Sequence, residues 1–149
     1  MCIKSENFYT NCPESYLMWS LCQMIKLYAS FKMRGKVYSR FPTLNEWINT
    51  ERGNRFAAAS LKKEVTEQVR LQTLAVDKVV DYPILIHTVI HTASRFDVDN
   101  LGFCLKFILD GLQKSGVLEN DSQKFITGYD VRLCKDKDEF VELSWETVT

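Results

Sequence analysis

Proline and glycine are scarce in this chain, at 3 and 6 residues, and no stretch is repeated or low in complexity. That excludes collagen-like, linker-rich and tandem-repeat architectures. Charge of one sign is also lacking, since Lys plus Arg and Asp plus Glu each number 19 and the formal net charge is zero. A nucleic-acid partner would therefore need a local basic patch, because bulk charge does not supply one. The 5 cysteines (Cys2, Cys12, Cys22, Cys104, Cys134) are an odd number without a CxxC pair. We read them as reduced thiols in a cytoplasmic protein, neither a disulfide frame nor a zinc site.

Long hydrophobic runs are missing too. The one candidate, residues 16–31, is interrupted by Ser20, Gln23 and Lys26 and lacks the basic start and small-residue cleavage site of a leader. It is too short and too polar to span a bilayer, so no membrane partner is expected. Its polar residues, with Ser30, share one face of a helical projection, which predicts an amphipathic helix. Residues 1–32 are thus read as a helical extension, with Met33 as a second candidate start, and residues 33–149 as one domain long enough for a real core.

Within that domain, residues 35–41 alternate and predict a strand ended by Pro42. Thr43 and Glu46 then have capping-box spacing, and Gly53 is expected to break the chain before a helix over 54–75. Ala57, Leu61, Val65 and Leu71 form its apolar stripe, and Arg55, Lys62, Lys63 and Arg70 gather on another side, apart from Glu64 and Glu67. Trp47, Phe56 and Trp145 are expected in the core or an interface. After Pro83, ILIHTVIHT reads as a strand. If extension continues, His87, His91, Arg95, Asp97 and Asp99 share a side.

A helix over 100–115 follows, with Leu101, Leu105, Ile108 and Leu112 as its core face and Gly116 as its stop. Two last strands joined by KDKD predict a hairpin. The order strand-helix-strand-helix-strand-strand predicts an α+β fold, a two-layer arrangement of a mixed sheet with helices on one face.

The chemistry concentrates in FDVDNLGFCLK. Asp97 and Asp99 sit two apart, and two close carboxylates raise each other's pKa unless a cation lies between them. Magnesium or manganese would remove that penalty. Helix capping is the competing explanation, because Asp is favourable at a helix start without any metal. A calcium loop is excluded, since Leu101 and Ile108 occupy positions that need ligands. Lys106 and Asp110 are four apart on the following helix, and Asp121 lies past its stop. Three carboxylates and a lysine are the parts metal-assisted phosphodiester hydrolysis needs.

Residues 97–123, DVDNLGFCLKFILDGLQKSGVLENDSQ, resemble the signature of the RusA-type Holliday junction resolvases, a family often carried by phages and prophages. That signature runs Asp-x-Asp-Asn, Lys-x-x-x-Asp-x-Leu, a glycine-containing turn and a further Asp. FPTLNEWI is similar to the family's upstream turn, and the likeness covers about residues 35–145. The resemblance implies a magnesium site of Asp97, Asp99 and Asp121, a catalytic Lys106, and supporting roles for Asp110 and Asn100. It also implies a homodimer cutting four-way junctions and related branched DNA by paired nicks in DNA recombination and repair, in a bacterial or phage-infected cell. Arg52, Arg55, Lys62, Lys63, Arg70 and Arg95 are the expected DNA contacts. One departure is plain: the lysine lies seven residues after the second aspartate, where the family's short form has four.

Overall fold

The computed structural model describes residues 24–149. They form a mixed α+β structure with a four-stranded mixed sheet and a separate two-stranded one. The helix expected over 16–31 is not formed where the chain is described, and the rest of that segment lies outside the described residues. Instead Ile25, Leu27, Ala29 and Phe31 are buried while Lys26, Tyr28 and Ser30 are exposed, a period of two that makes an extended chain. Ile25–Leu27 is β1, an edge strand antiparallel to the last strand of the main sheet. A boundary at residue 32 therefore does not divide two structural units.

Two glutamines hold the link beyond β1. Gln72 accepts from the Tyr28 N–H at 2.8 Å and donates to its carbonyl at 2.7 Å. Gln68 does the same for Ser30, at 2.9 and 2.8 Å. Both side chains imitate a neighbouring strand, which satisfies backbone groups that a sheet edge leaves open. Replacing either by Ala should cost about 0.5–1.5 kcal/mol. Hydrogen exchange should locate the loss at the Tyr28 and Ser30 amides, and undisturbed protection there would refute this role.

Strands β2 (Phe31–Met33) and β3 (Lys36–Tyr38) form a hairpin. Its two-residue turn, Arg34 and Gly35, has φ of 50° and 78°. Positive φ at both positions matches the right-handed twist of the flanking strands. Helix α1 (Leu44–Gly53) begins with the capping box expected of Thr43 and Glu46. Asn54 ends α1 and caps α2 (Arg55–Gln72), its side chain accepting from the Phe56 and Ala57 N–H groups. The buried face of α2 is Ala58, Leu61, Val65, Thr66 and Val69. The expected stripe is corrected at its ends, because Ala57 and Leu71 are exposed.

Strand β4 (Ile84–Thr92) is central, with β5 (Ile126–Lys135) parallel on one side and β6 (Phe140–Thr147) antiparallel on the other. The sheet order is β1-β6-β4-β5, so β5 and β6 do not form the expected hairpin. Their polar link crosses the end of β4, where the Asp136 N–H donates to the Thr92 carbonyl at 3.0 Å. Ile84, Ile86 and Ile90 of β4 join the core with Val65, Phe107 and Leu112. His87 and His91 alternate with this row along β4.

The helix expected over 100–115 is two helices, α3 (Val98–Gly102) and α4 (Cys104–Ser115), broken at Phe103. Leu101, Leu105, Ile108 and Leu112 are buried as expected. Gly116, with φ of 85°, ends α4 in the left-handed conformation glycine favours. No helix of the described residues is long and apolar enough to cross a membrane. Cys134 is disulfide-bonded, which corrects the reading of five reduced thiols, because spacing along a chain says little about which sulfurs meet. The cytoplasmic setting loses that support. Cys104 is free, and burial pushes its thiol up to about 12. It is a packing residue, not a nucleophile.

Candidate metal and DNA site

Strand β4 ends at Thr92, so Arg95, Asp97 and Asp99 do not continue the face of His87 and His91. The histidines have other carboxylates. His87 Nδ1 lies 2.6 Å from Asp130, and Nε2 lies 3.6 Å from Glu146. His91 lies 3.1 Å from Asp136 and 3.5 Å from Glu142, stacked on Phe140.

The segment leading to the acids is held by Arg40. Its guanidinium lies 4.9 Å over the Tyr38 ring and 5.0 Å over Phe96, the residue before Asp97. Glu46 fixes that guanidinium at 2.6 and 3.1 Å while also closing the α1 capping box. Burial raises the Glu46 pKa, but the bonds from Arg40 and Thr43 outweigh it, and the net shift is downward from 4.5. A carboxyl whose folded pKa is depressed contributes stability above its unfolded pKa and loses it as pH falls through the folded one. Glu46→Gln should therefore flatten the acid limb of a stability profile below pH 4.5. An unchanged acid limb would count against this clamp.

Asp97 occupies the N-cap of α3, yet its side chain makes no capping hydrogen bond. Asp99 accepts from the N–H of Asn100 at 2.9 Å. Both acids are exposed, and neither joins an ion pair among the described residues. Asn100 in turn accepts from the Asn45 N–H at 3.0 Å, a first-turn amide of α1, so it ties α3 to α1. Asp99 lines an open cleft of about 670 Å³ with Phe103, Tyr129 and Val131.

The other expected site residues are not gathered there. Asp97 and Asp99 precede α4, and Asp121 follows its far end; the 12 residues of α4 span about 18 Å. The loop carrying Asp121 is held beside the start of β4, where the Glu119 N–H donates to the Tyr82 hydroxyl at 3.0 Å. Among the described residues no three His, Cys, Asp or Glu side chains form a group that could hold a metal. The three-carboxylate site is thus not assembled within one chain, because α4 separates its members.

Lys106 makes its ion contact with Asp110, at 3.7 Å. Asp110 also meets Lys62 of α2 at 3.2 Å, so it bridges two helices. The basic set divides accordingly. Lys62 is engaged with Asp110, and Arg70 with Glu67 at 2.6 Å. Arg52, Arg55, Lys63 and Arg95 are exposed and make no ion pair among the described residues. The sequence reading missed the hairpin's Lys32, Arg34 and Lys36, all exposed, although KMRGK was visible as a basic turn. Phe56, expected in the core or an interface, is not in the core: it is 87% exposed.

No protein-family model matches the chain, and no curated protein matches it.

Proposed function

We propose that this chain is a divalent-metal-dependent endonuclease that cuts branched DNA as a homodimer, of the RusA type its central segment resembles. One observation carries the reading. Asp97 stands at the start of α3 without a capping hydrogen bond, and exposed Asp99 in the first turn accepts only the neighbouring Asn100 N–H, so hydrogen bonding leaves most oxygens of the pair open. An exposed acidic pair without an ion-pair partner among the described residues is suited to a hard cation.

Magnesium takes one or two carboxylates and keeps its waters, which Asp97 and Asp99 could supply; manganese prefers similar oxygens. When bound, such a metal polarises a phosphate and lowers the pKa of water. Asp121 does not fit the same group within a single chain, so we place it there from the second copy of a homodimer. Asn100 positions the acids by anchoring α3 to α1. We further read the helices as packed on the sheet face bearing Ile84, Ile86 and Ile90, with the α3 cleft on that same face against Tyr129 and Val131 of the edge strand β5.

The direct experiment is cleavage of a labelled four-way junction in magnesium, beside a linear duplex of the same sequence. Paired symmetrical nicks confined to the junction support the proposal. Tight junction binding without cuts in magnesium or manganese would favour a catalytically silent junction-binding module. The engagement of Lys106 with Asp110, away from the acids, favours that second reading.

Phosphate contacts should follow the division of the basic residues. Arg52→Ala or Arg55→Ala should lower the salt slope of junction binding by about 1 each. Arg70→Ala, whose guanidinium is already held by Glu67, should leave the slope nearly unchanged. Equal slopes for all three variants would contradict this surface.

A further inference from the structure

The end of the molecule formed by the β2–β3 turn and the α1–α2 junction carries an unexplained ring. Phe56, second residue of α2, is 87% exposed, the most exposed of the large apolar side chains among the described residues. Its backbone is fixed, because its N–H is held by Asn54 at 3.0 Å. No other ring stacks on it among the described residues. Leaving a phenyl in water forgoes the burial that makes aromatic side chains valuable in cores and interfaces.

The surroundings are basic. Arg55 precedes Phe56, and Arg52 lies at the end of α1. Across a cleft of about 350 Å³, whose walls include Lys32, Arg34, Asn54 and Ala57, stands the hairpin turn. Phe56 lies in sequence between two residues of that wall. Lys32, Arg34, Arg52 and Arg55 make no ion pair among the described residues. Glu46, the acid of the cleft, is held by Arg40, which leaves Glu51 as the exposed acid of α1. In a chain of zero net charge, this concentration of unpaired cations is local. An exposed ring on a fixed backbone among unpaired cations is the combination that holds an unpaired nucleic-acid strand, with phosphates on the cations and a base on the ring.

We propose that Phe56 stacks on an unpaired base of the bound DNA, at a branch point or in a single strand, while Arg52, Arg55 and the β2–β3 turn hold the flanking phosphates. This rests on reading the chain as a DNA-binding protein. The β2–β3 turn then becomes a DNA-facing element distinct from the acidic pair.

The test uses the full chain and its Phe56→Ala and Phe56→Trp variants. Fluorescence anisotropy would follow a labelled oligothymidine, a blunt duplex and a four-way junction, and light scattering the oligomeric state. Phe56→Ala should bind oligothymidine and junction about 5- to 100-fold more weakly, with its salt slope unchanged, and Phe56→Trp should bind like the parent. The duplex should be bound alike by all three. Equal binding of every DNA by parent and Phe56→Ala would overturn the stacking role while leaving the DNA-binding reading intact. Failure of the parent to bind any of the three DNAs would overturn both. Dissociation of Phe56→Ala into monomers would assign the ring to a contact between copies and overturn the proposal.

Discussion

Asp99→Asn is expected to abolish junction cleavage, by at least about 100-fold, while the chain stays folded and keeps its junction affinity. Losing one group that stabilises transition-state charge typically costs that much or more. Asparagine keeps the size of the side chain and an oxygen for the Asn100 N–H, but it removes the charge that would hold a metal. Asp97→Asn should behave alike, since Asp97 makes no capping bond whose loss would unfold α3. Asp121→Asn should also be inactive, although Asp121 is separated from the pair by α4.

Mixing the two inactive variants separates the possible arrangements. If Asp121 enters from the second copy, an Asp99→Asn and Asp121→Asn heterodimer has one site with both substitutions and one intact site. Single-strand nicking should then return in the mixture. If all three acids act within one chain, each site in the heterodimer carries one substitution and the mixture stays inactive. Full activity of Asp99→Asn alone would sink the nuclease reading and return the acids to a local structural role.

The largest effect on stability is expected at the crossing of α2 and α4. A Cβ built on Gly111 would lie 2.5 Å from both Cβ and Cγ1 of Val69, and 3.1 Å from the Thr66 carbonyl oxygen. No two non-bonded carbon atoms tolerate that approach, so the helices must separate to admit a methyl group. Gly111→Ala should therefore destabilise by about 1–3 kcal/mol, even though alanine favours a helix over glycine by about 1 kcal/mol. For a chain of this size that lowers Tm by roughly 2–4 °C per kcal/mol. Denaturant unfolding of Gly111→Ala, Val69→Ala and the double variant would measure the coupling. The double variant should lose less than the two single losses combined, because Val69→Ala removes Cγ1, one of the two atoms at 2.5 Å, although the Cβ approach remains. Strict additivity would mean that the close approach is relieved elsewhere.

The same crossing bears on the site. Lys62 of α2 reaches Asp110 of α4, so a displaced α4 would loosen the residue that holds Lys106. Gly111→Ala should accordingly lower stability without acting on the acids themselves.

What the sequence determined by itself is what short-range chemistry controls. The Thr43–Glu46 capping box, the strand after Pro83, the buried stripe Leu101, Leu105, Ile108 and Leu112, and the Gly116 stop all depend on neighbours within a turn or on strand alternation. The acidic pair at a helix start was legible for the same reason. The alternation of residues 25–31 was also there to read, but Ser20, Gln23, Lys26 and Ser30 share a face at helical spacing, and that pattern was followed over the period of two. Only the tertiary structure decided which strands are neighbours, because β4 inserts between β5 and β6 and a four-residue polar link fits a crossing as well as a hairpin. It decided which cations stay unpaired, since Lys62 and Asp110 meet across two helices. It also decided that Asp121 stands apart from Asp97 and Asp99. Sequence spacing fixes the order of carboxylates along a chain, whereas the length and direction of the helix between them fix whether they meet.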